Sequence, residues 1–200
     1  MKRYFFLFFI CFLSSACDAL EKGKNMDYQQ FDASQHFRPK LSLARIDTLK
    51  GWDYCWEVAA PILKFLGNNG DADISKMKRL SSGQKALYFF WNLDSEVAGG
   101  GFVQYYWNGN EYQVLPLQSG LNLIHNQPLS NLVATAHSEY LKNRGIFDKS
   151  KQRKDLKGLY GHLPQMRPLR AQYDSLQNQS VELMEVYIRA HQGDFFVGDK

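Results

Sequence analysis

Apolar side chains recur at intervals of three and four residues along most of this sequence, the spacing of one buried helix face. The clearest example is the stretch 86–97, which contains no Gly or Pro. Its apolar positions are Ala86, Phe89, Phe90, Leu93 and Val97. Ser81 can cap this helix, and Gln84 three residues later completes an S-x-x-Q capping box. The pattern predicts a helix that begins just after Ser81.

Three consecutive glycines at 99–101 follow this helix. They predict a break, because glycine tolerates the left-handed backbone that commonly ends a helix. Helical spacing resumes at Phe102, Tyr105 and Tyr106, and Asn108-Gly109-Asn110 closes the unit. We therefore predict a helix, a glycine hinge and a second helix.

Helical spacing also appears on both sides of this unit. The segments are 41–66 (interrupted at Gly51 and Pro61), 73–79, 114–124, 128–141, 169–176 and 181–191. We expect either a kink or a division into two helices at Pro61, a break at residues 143–145, and a loop over 159–168. No alternation of apolar and polar residues is long enough to predict a strand. The sequence predicts an all-α, single compact domain of about seven to nine helices over residues 40–200.

The first 16 residues have the pattern of a signal peptide. Lys2-Arg3 precedes an apolar run at 4–13, which is too short to span a bilayer as a mature helix. Ser14-Ser15-Ala16-Cys17 is similar to a lipobox, in which the cysteine is diacylated and becomes the new N-terminus. Ordinary cleavage after Ala16 and an uncleaved anchor remain as alternatives. Acylated Cys17 implies a lipid-anchored protein of the bacterial envelope that faces the periplasm; without acylation it would be periplasmic or secreted.

Residues 17–39 are polar and predict a flexible tether between membrane and domain. Cys55 lies in an apolar run, between Tyr54 and Trp56, and we expect it to be a buried small hydrophobe. If Cys17 is acylated, Cys55 has no partner for an intrachain disulfide; ordinary cleavage would allow a bridge between them.

The charge balance argues against two classes of partner. The net charge is +4, but Lys2 and Arg3 belong to the leader, which leaves 22 basic against 20 acidic residues. This near balance predicts neither a nucleic-acid-binding protein nor a strongly acidic decoy. The basic segment 149–157 predicts either a solvated loop that enters a helix or a patch for phosphate or anionic lipid.

One set of polar residues is a candidate site. Spacing of four places Tyr88, Asn92 and Glu96 on one helical stripe, and three more polar residues follow across the hinge. These are Gln104, Tyr105 and Asn108. In one interpretation Glu96 is a ligand or an acid–base group in a polar cleft. In the other it is a structural cap for the free amides of residues 100–102, which begin the second helix.

No sequence motif supports a metal site, a catalytic nucleophile or a phosphate-binding loop. No His has a second His or a Cys three or four residues away, and H-E-x-x-H, G-x-S-x-G and phosphate-loop patterns are absent. We predict no metal site, no cofactor and no catalytic residue. The aromatic side chains around the hinge are expected to be mostly core, with one or two left exposed. They are Phe89, Phe90, Trp91, Tyr105, Tyr106 and Trp107.

The central stretch resembles the C-terminal domain of a family of bacterial DNA-mimic proteins. The matching residues are Ala86-Leu87-Tyr88, Trp91, Glu96-Val97, Gly100-Gly101-Phe102, Gln104-Tyr105 and Asn108. Ala98 and Gly99 stand where the family usually has Asn-Asn, and Gly109 where it has Ser. Residues 187–196 are similar to the family's last helix. The resemblance implies that the family domain covers about 52–196.

These observations lead to three hypotheses of function. The first is a non-enzymatic, lipid-anchored envelope protein that binds a protein partner. The second, implied by the resemblance, is a DNA-mimic regulator that inhibits a DNA-binding protein. The third is an enzyme that uses Glu96. An exported protein does not meet a cytoplasmic transcription factor, so the leader favours the first hypothesis over the second.

Overall fold

Helices account for about 80% of the computed structural model, which describes residues 28–67 and 73–199. In chain order the elements are β1 (Lys40–Ser42), α1 (Leu43–Ile46), α2 (Gly51–Leu66), α3 (Ile74–Met77), α4 (Ser82–Trp107), α5 (Val114–Leu123), α6 (Gln127–Arg153), α7 (Leu156–His162), α8 (Arg167–Ala190), α9 (Gln192–Phe195) and β2 (Val197–Asp199). Short 3-10 helices lie at Ala33–Gln35, Asn110–Gln113 and Pro164–Met166. The prediction of a compact helical domain with up to nine helices is confirmed for the described ranges.

Helix α4 lies at the centre of the domain and packs against α2, α5 and α8. The predicted capping box is present: Ser81 Oγ accepts from the Gln84 amide at 3.2 Å, and Gln84 Oε1 accepts from the Ser81 amide at 2.9 Å. The Gln84 side-chain amide also donates to the carbonyls of Phe37, at 2.8 Å, and Phe195, at 3.0 Å. The start of α4 is therefore hydrogen-bonded to two segments that lie near the two ends of the described chain.

The glycine hinge forms a kink inside α4. Gly100 (φ −147°, ψ 21°) and Gly101 (φ 67°, ψ −172°) leave the helical conformation, and helical geometry resumes at once. A side chain would be strained at the positive φ of Gly101. The Tyr160 hydroxyl donates to the Gly100 carbonyl at 2.6 Å, which satisfies an acceptor at the break. The predicted helix, glycine hinge and second helix are thus confirmed, with the break at Gly100 and Gly101 and the last helical residue at Trp107.

One predicted break is absent, and Pro61 does not divide its helix into two. The predicted break at residues 143–145 is wrong, because α6 continues to Arg153. Glycine inside a helix costs only about 1 kcal/mol relative to alanine. The fully buried Phe147 lies beyond Gly145 and fixes the following turns to the core. Pro61 lies inside α2, which continues as one helix through the buried Ile62.

The second half of the chain is more regular than predicted. Helix α7 and a 3-10 turn occupy residues 156–166, where we predicted a loop from residue 159. The helices predicted at 169–176 and 181–191 are joined in α8. Ser180 is buried at this junction, and its hydroxyl donates to the Leu176 carbonyl at 2.8 Å. This bond satisfies a polar group inside the helix, so the polar stretch does not interrupt it.

A two-stranded parallel sheet was not predicted. Lys40 pairs with Val197 and Ser42 with Asp199, so the pair joins the two ends of the domain. Each strand has three residues, which is too short for an alternating pattern to be recognised in the sequence.

Part of the predicted tether packs against the helices. Tyr28 is buried, and its ring lies edge-on to that of Phe89 with centroids 5.1 Å apart. The Asp32 amide donates to the Lys78 carbonyl at 2.7 Å. Tyr28 and Asp32, which lie in the predicted tether, thus contact the helical domain.

The predicted signal peptide and acylation site lie outside the described residues, as do residues 18–27. In the part of the chain that is described, no helix is both long and apolar enough to cross a bilayer. Cys55 is fully buried in α2, as predicted, and burial raises the pKa of its thiol to about 12. The reactive thiolate form is strongly disfavoured at this buried position, so Cys55 acts as a core residue.

Candidate functional site

The predicted polar stripe lines an open groove between α2 and α4. Tyr88, Asn92 and Glu96 all face this groove, whose volume is about 470 Å³. The remaining lining residues are Trp56, Ala60, Leu63, Gly67, Trp91, Ser95, Asn110 and Gln113. The spacing of four thus places the three stripe residues together, while α2 and the 3-10 helix Asn110–Gln113 supply the other walls.

Tryptophan rings form one side of the groove. Trp56 is 46% exposed, and its ring centroid lies 4.5 Å from that of Trp91 at an interplanar angle of 34°. Trp52 packs edge-on against Trp91 at 5.5 Å and stacks on the buried Phe90 at 5.8 Å. The exposed indole is therefore supported by a chain of rings that reaches the core. A large, rigid and partly exposed aromatic of this kind is typical of binding surfaces.

The carboxylate of Glu96 connects the two sides of the kink. Glu96 Oε2 accepts from the Gln104 side-chain amide at 3.0 Å and from the Asn108 side-chain amide at 2.8 Å. We expected Glu96 to cap the backbone amides of residues 100–102. Its hydrogen bonds within the described residues instead go to side chains one and two turns beyond the kink. Three of the predicted residues thus form a clamp, which we call the Glu96 clamp: Glu96, Gln104 and Asn108.

The other three predicted residues have different positions. Asn92 Nδ2 donates to Gln113 Oε1 at 3.3 Å, which fixes both amides in the groove wall. Tyr88 is 8% exposed, and burial raises the pKa of its hydroxyl. Tyr105 is fully buried, and its hydroxyl has no hydrogen-bond partner among the described residues. Tyr105 is therefore a core residue behind the groove rather than part of its lining.

Sequence reasoning missed Trp56 and Gln113. Trp52 and Trp56 are four residues apart, which places both on one face of α2, and this spacing was a usable signal. The position of Gln113 depends on the 3-10 turn after α4, which no periodicity reveals. Of the six aromatic side chains around the hinge, four are buried and two, Trp91 and Trp107, are half-buried, so none is as exposed as we expected.

A second polar cluster lies on α4 and α8. Asp94 Oδ1 accepts a hydrogen bond from the Tyr173 hydroxyl at 2.6 Å and another from the Gln177 amide. Burial of Tyr173, together with the neighbouring Asp94 carboxylate, raises the pKa of that hydroxyl. The hydroxyl therefore remains protonated and donates to Asp94, so the cluster holds α8 against the central helix.

The Glu96 clamp should contribute measurably to stability. Glu96→Ala removes two charge-assisted hydrogen bonds and should lower the free energy of unfolding by about 1–3 kcal/mol. Glu96→Gln keeps one acceptor oxygen and should cost less, about 0.5–1.5 kcal/mol. Urea denaturation measures both values, with Glu182→Ala on the exposed face of α8 as the control. Equal stability of the two Glu96 variants and the wild type would show that the clamp is not structural.

Comparison with known proteins agrees with the family resemblance. Residues 78–191, more than half of the chain, match the model of the family described as DMP19-like protein. This range includes the capping box, the kinked part of α4 and all of the Glu96 clamp. Among curated proteins, none matches the sequence. The chain therefore belongs to the family of DMP19-like proteins.

Proposed function

We propose that this DMP19-like protein is a non-enzymatic binding protein of the bacterial envelope. Acyl chains on Cys17 anchor it to a membrane, with the helical domain facing the periplasm. The groove between α2 and α4 binds a protein partner. The leader pattern supports the location, and the groove supports the binding role.

The observation that carries this proposal is the exposed tryptophan wall beside fixed polar groups. Trp56 presents nearly half of its surface to solvent, and the Asn92–Gln113 pair and Glu96 lie in the same groove. Tryptophan is enriched among residues that dominate binding energy at protein interfaces. The surrounding amides supply directional hydrogen bonds, so the groove combines an apolar anchor with polar specificity.

The surroundings of Glu96 suit a binding role. Both amides of the Glu96 clamp donate to Oε2 and hold the carboxylate in one position across the kink. A group that is already held in place loses little freedom when a partner binds, so Glu96 is suited to recognise a partner group in a fixed geometry.

The distribution of acidic residues favours a partner other than a DNA-binding protein. A DNA mimic presents contiguous carboxylates, because its target recognises phosphates electrostatically. Several carboxylates here instead pair with a Lys or Arg of the same chain: Glu57, Asp73, Glu139, Asp174 and Glu185. Asp94 and Asp155 bond to groups within the fold. Export would also separate the domain from cytoplasmic targets.

Site-specific cross-linking tests the proposed binding role. A photoreactive amino acid at Ser95, an exposed residue of the groove, should give discrete cross-linked products in intact cells. The same probe at Leu141, 52% exposed on α6, is the matched control. Trp56→Ala should abolish the Ser95 products, since it removes the aromatic wall. Identical products from both positions, or products insensitive to Trp56→Ala, would contradict the proposal.

A further inference from the structure

We infer that the groove between α2 and α4 receives an arginine side chain of the partner, with the guanidinium between the Trp56 ring and the Glu96 carboxylate. This inference rests on the proposed function, because it specifies the chemistry of the partner at the same site.

The groove carries a negative charge, and no cationic side chain is among the described residues that line it. Within this described lining, Glu96 is the only Asp or Glu, and there is no Lys, Arg or His. None of the ion pairs among the described residues includes Glu96. Its two donors are neutral amides that leave the charge in place. A half-buried carboxylate of this kind attracts a cation from solution.

A second carboxylate lies next to the groove-lining residue Asn110. Glu111 Oε2 is buried and has no hydrogen-bond partner within the described ranges. Burial is the main reason why the pKa of Tyr105 is raised, and the charges of Glu111 and Glu96 both add to it. Both carboxylates therefore act on the same buried hydroxyl.

The tryptophan wall suits a guanidinium better than a neutral group. Cations are attracted to the face of an indole ring within about 6 Å, and arginine makes this contact more often than lysine. The planar guanidinium also has five donors, which match a carboxylate and nearby carbonyl oxygens. Asn92 donates to Gln113 through Nδ2, and both Asn92 and Glu96 line the groove.

Titration with two short peptides tests the inference on the full mature chain in detergent. The probes are acetyl-Gly-Arg-Gly-amide and its citrulline analogue, which has nearly the same shape but no charge. Tryptophan fluorescence should change saturably with the arginine peptide, and the citrulline peptide should bind at least about tenfold more weakly. Equal affinity for the two peptides would overturn the inference.

Two variants test whether the arginine peptide binds beside Glu96. Glu96→Gln should weaken the arginine peptide by about tenfold and leave the citrulline peptide unchanged, since only the charge is lost. Glu182→Gln, on the exposed face of α8, should change neither affinity. Circular dichroism confirms that the Glu96 variant is folded. Unchanged affinity in folded Glu96→Gln would overturn the inference.

The cross-linking experiment separates this inference from the proposed function. If Ser95 cross-links are lost in Trp56→Ala but persist at full yield in Glu96→Gln, the groove binds a partner without an arginine contact. That result leaves the proposed function intact and overturns the inference. Loss in both variants supports both conclusions.

Discussion

Alanine at position 120 should lower the free energy of unfolding by about 1–3 kcal/mol, the usual cost of overpacking a core. Gly120 lies in α5 at its crossing with α4, where a Cβ would stand 2.8 Å from both Cα and Cβ of Ala86. Because the Ala86 Cα is a backbone atom, no change of rotamer relieves this clash, and the two helices must move apart. A larger residue, as in Gly120→Leu, should prevent folding. Urea denaturation measures the first effect.

Gly145→Ala is the matched control for this prediction. Gly145 also lies inside a helix, but a Cβ there would meet nothing within 4 Å. Alanine should therefore stabilise the protein by about 0.4–1 kcal/mol, because it restricts the unfolded chain and favours the helix. If Gly120→Ala lowers the free energy of unfolding and Gly145→Ala raises it, the close helix crossing is the cause of the loss at position 120. A stabilising effect at both positions would contradict the close approach of α4 and α5.

Cys17→Ser should move the protein from the detergent phase to the aqueous phase in a phase-separation assay. The substitution removes the thiol that would be acylated, and two acyl chains bind a membrane far more strongly than one. The precursor should also remain unprocessed or appear as a soluble form. The described part of the chain has no spanning helix to replace the lipid.

Cys11→Ser provides the control, since it makes the same substitution within the leader and should leave partition unchanged. Unaltered processing and unaltered partition of Cys17→Ser would refute acylation. Ordinary cleavage after Ala16 would then be the better interpretation of the leader.

The central helix was predictable because its signals are local. The capping box of Ser81 and Gln84, the apolar face and the glycine kink each depend on residues within one or two turns. The same holds for the stripe of Tyr88, Asn92 and Glu96, which helical spacing alone places along the groove.

The elements that we mispredicted depend on contacts distant in sequence. Helix α6 continues past Gly145 because Phe147 packs into a core built from other helices. The groove needs Trp56 from α2, and the clamp partners of Glu96 follow from the angle of the kink. A periodic pattern gives the face of a helix but not the neighbour that it meets, so the site could be predicted only in part.

The short parallel sheet gives the domain a particular response to force. β1 begins at Lys40 and β2 ends at Asp199, and the two strands run in the same direction. Tension applied between these two ends would slide one strand along the other, so the hydrogen bonds of the pair would share the load. The hydrogen bonds of Gln84 to Phe37 and Phe195 lie next to the two strands and would carry part of the same load. The strand pair and the start of α4 would therefore resist separation of the two ends together.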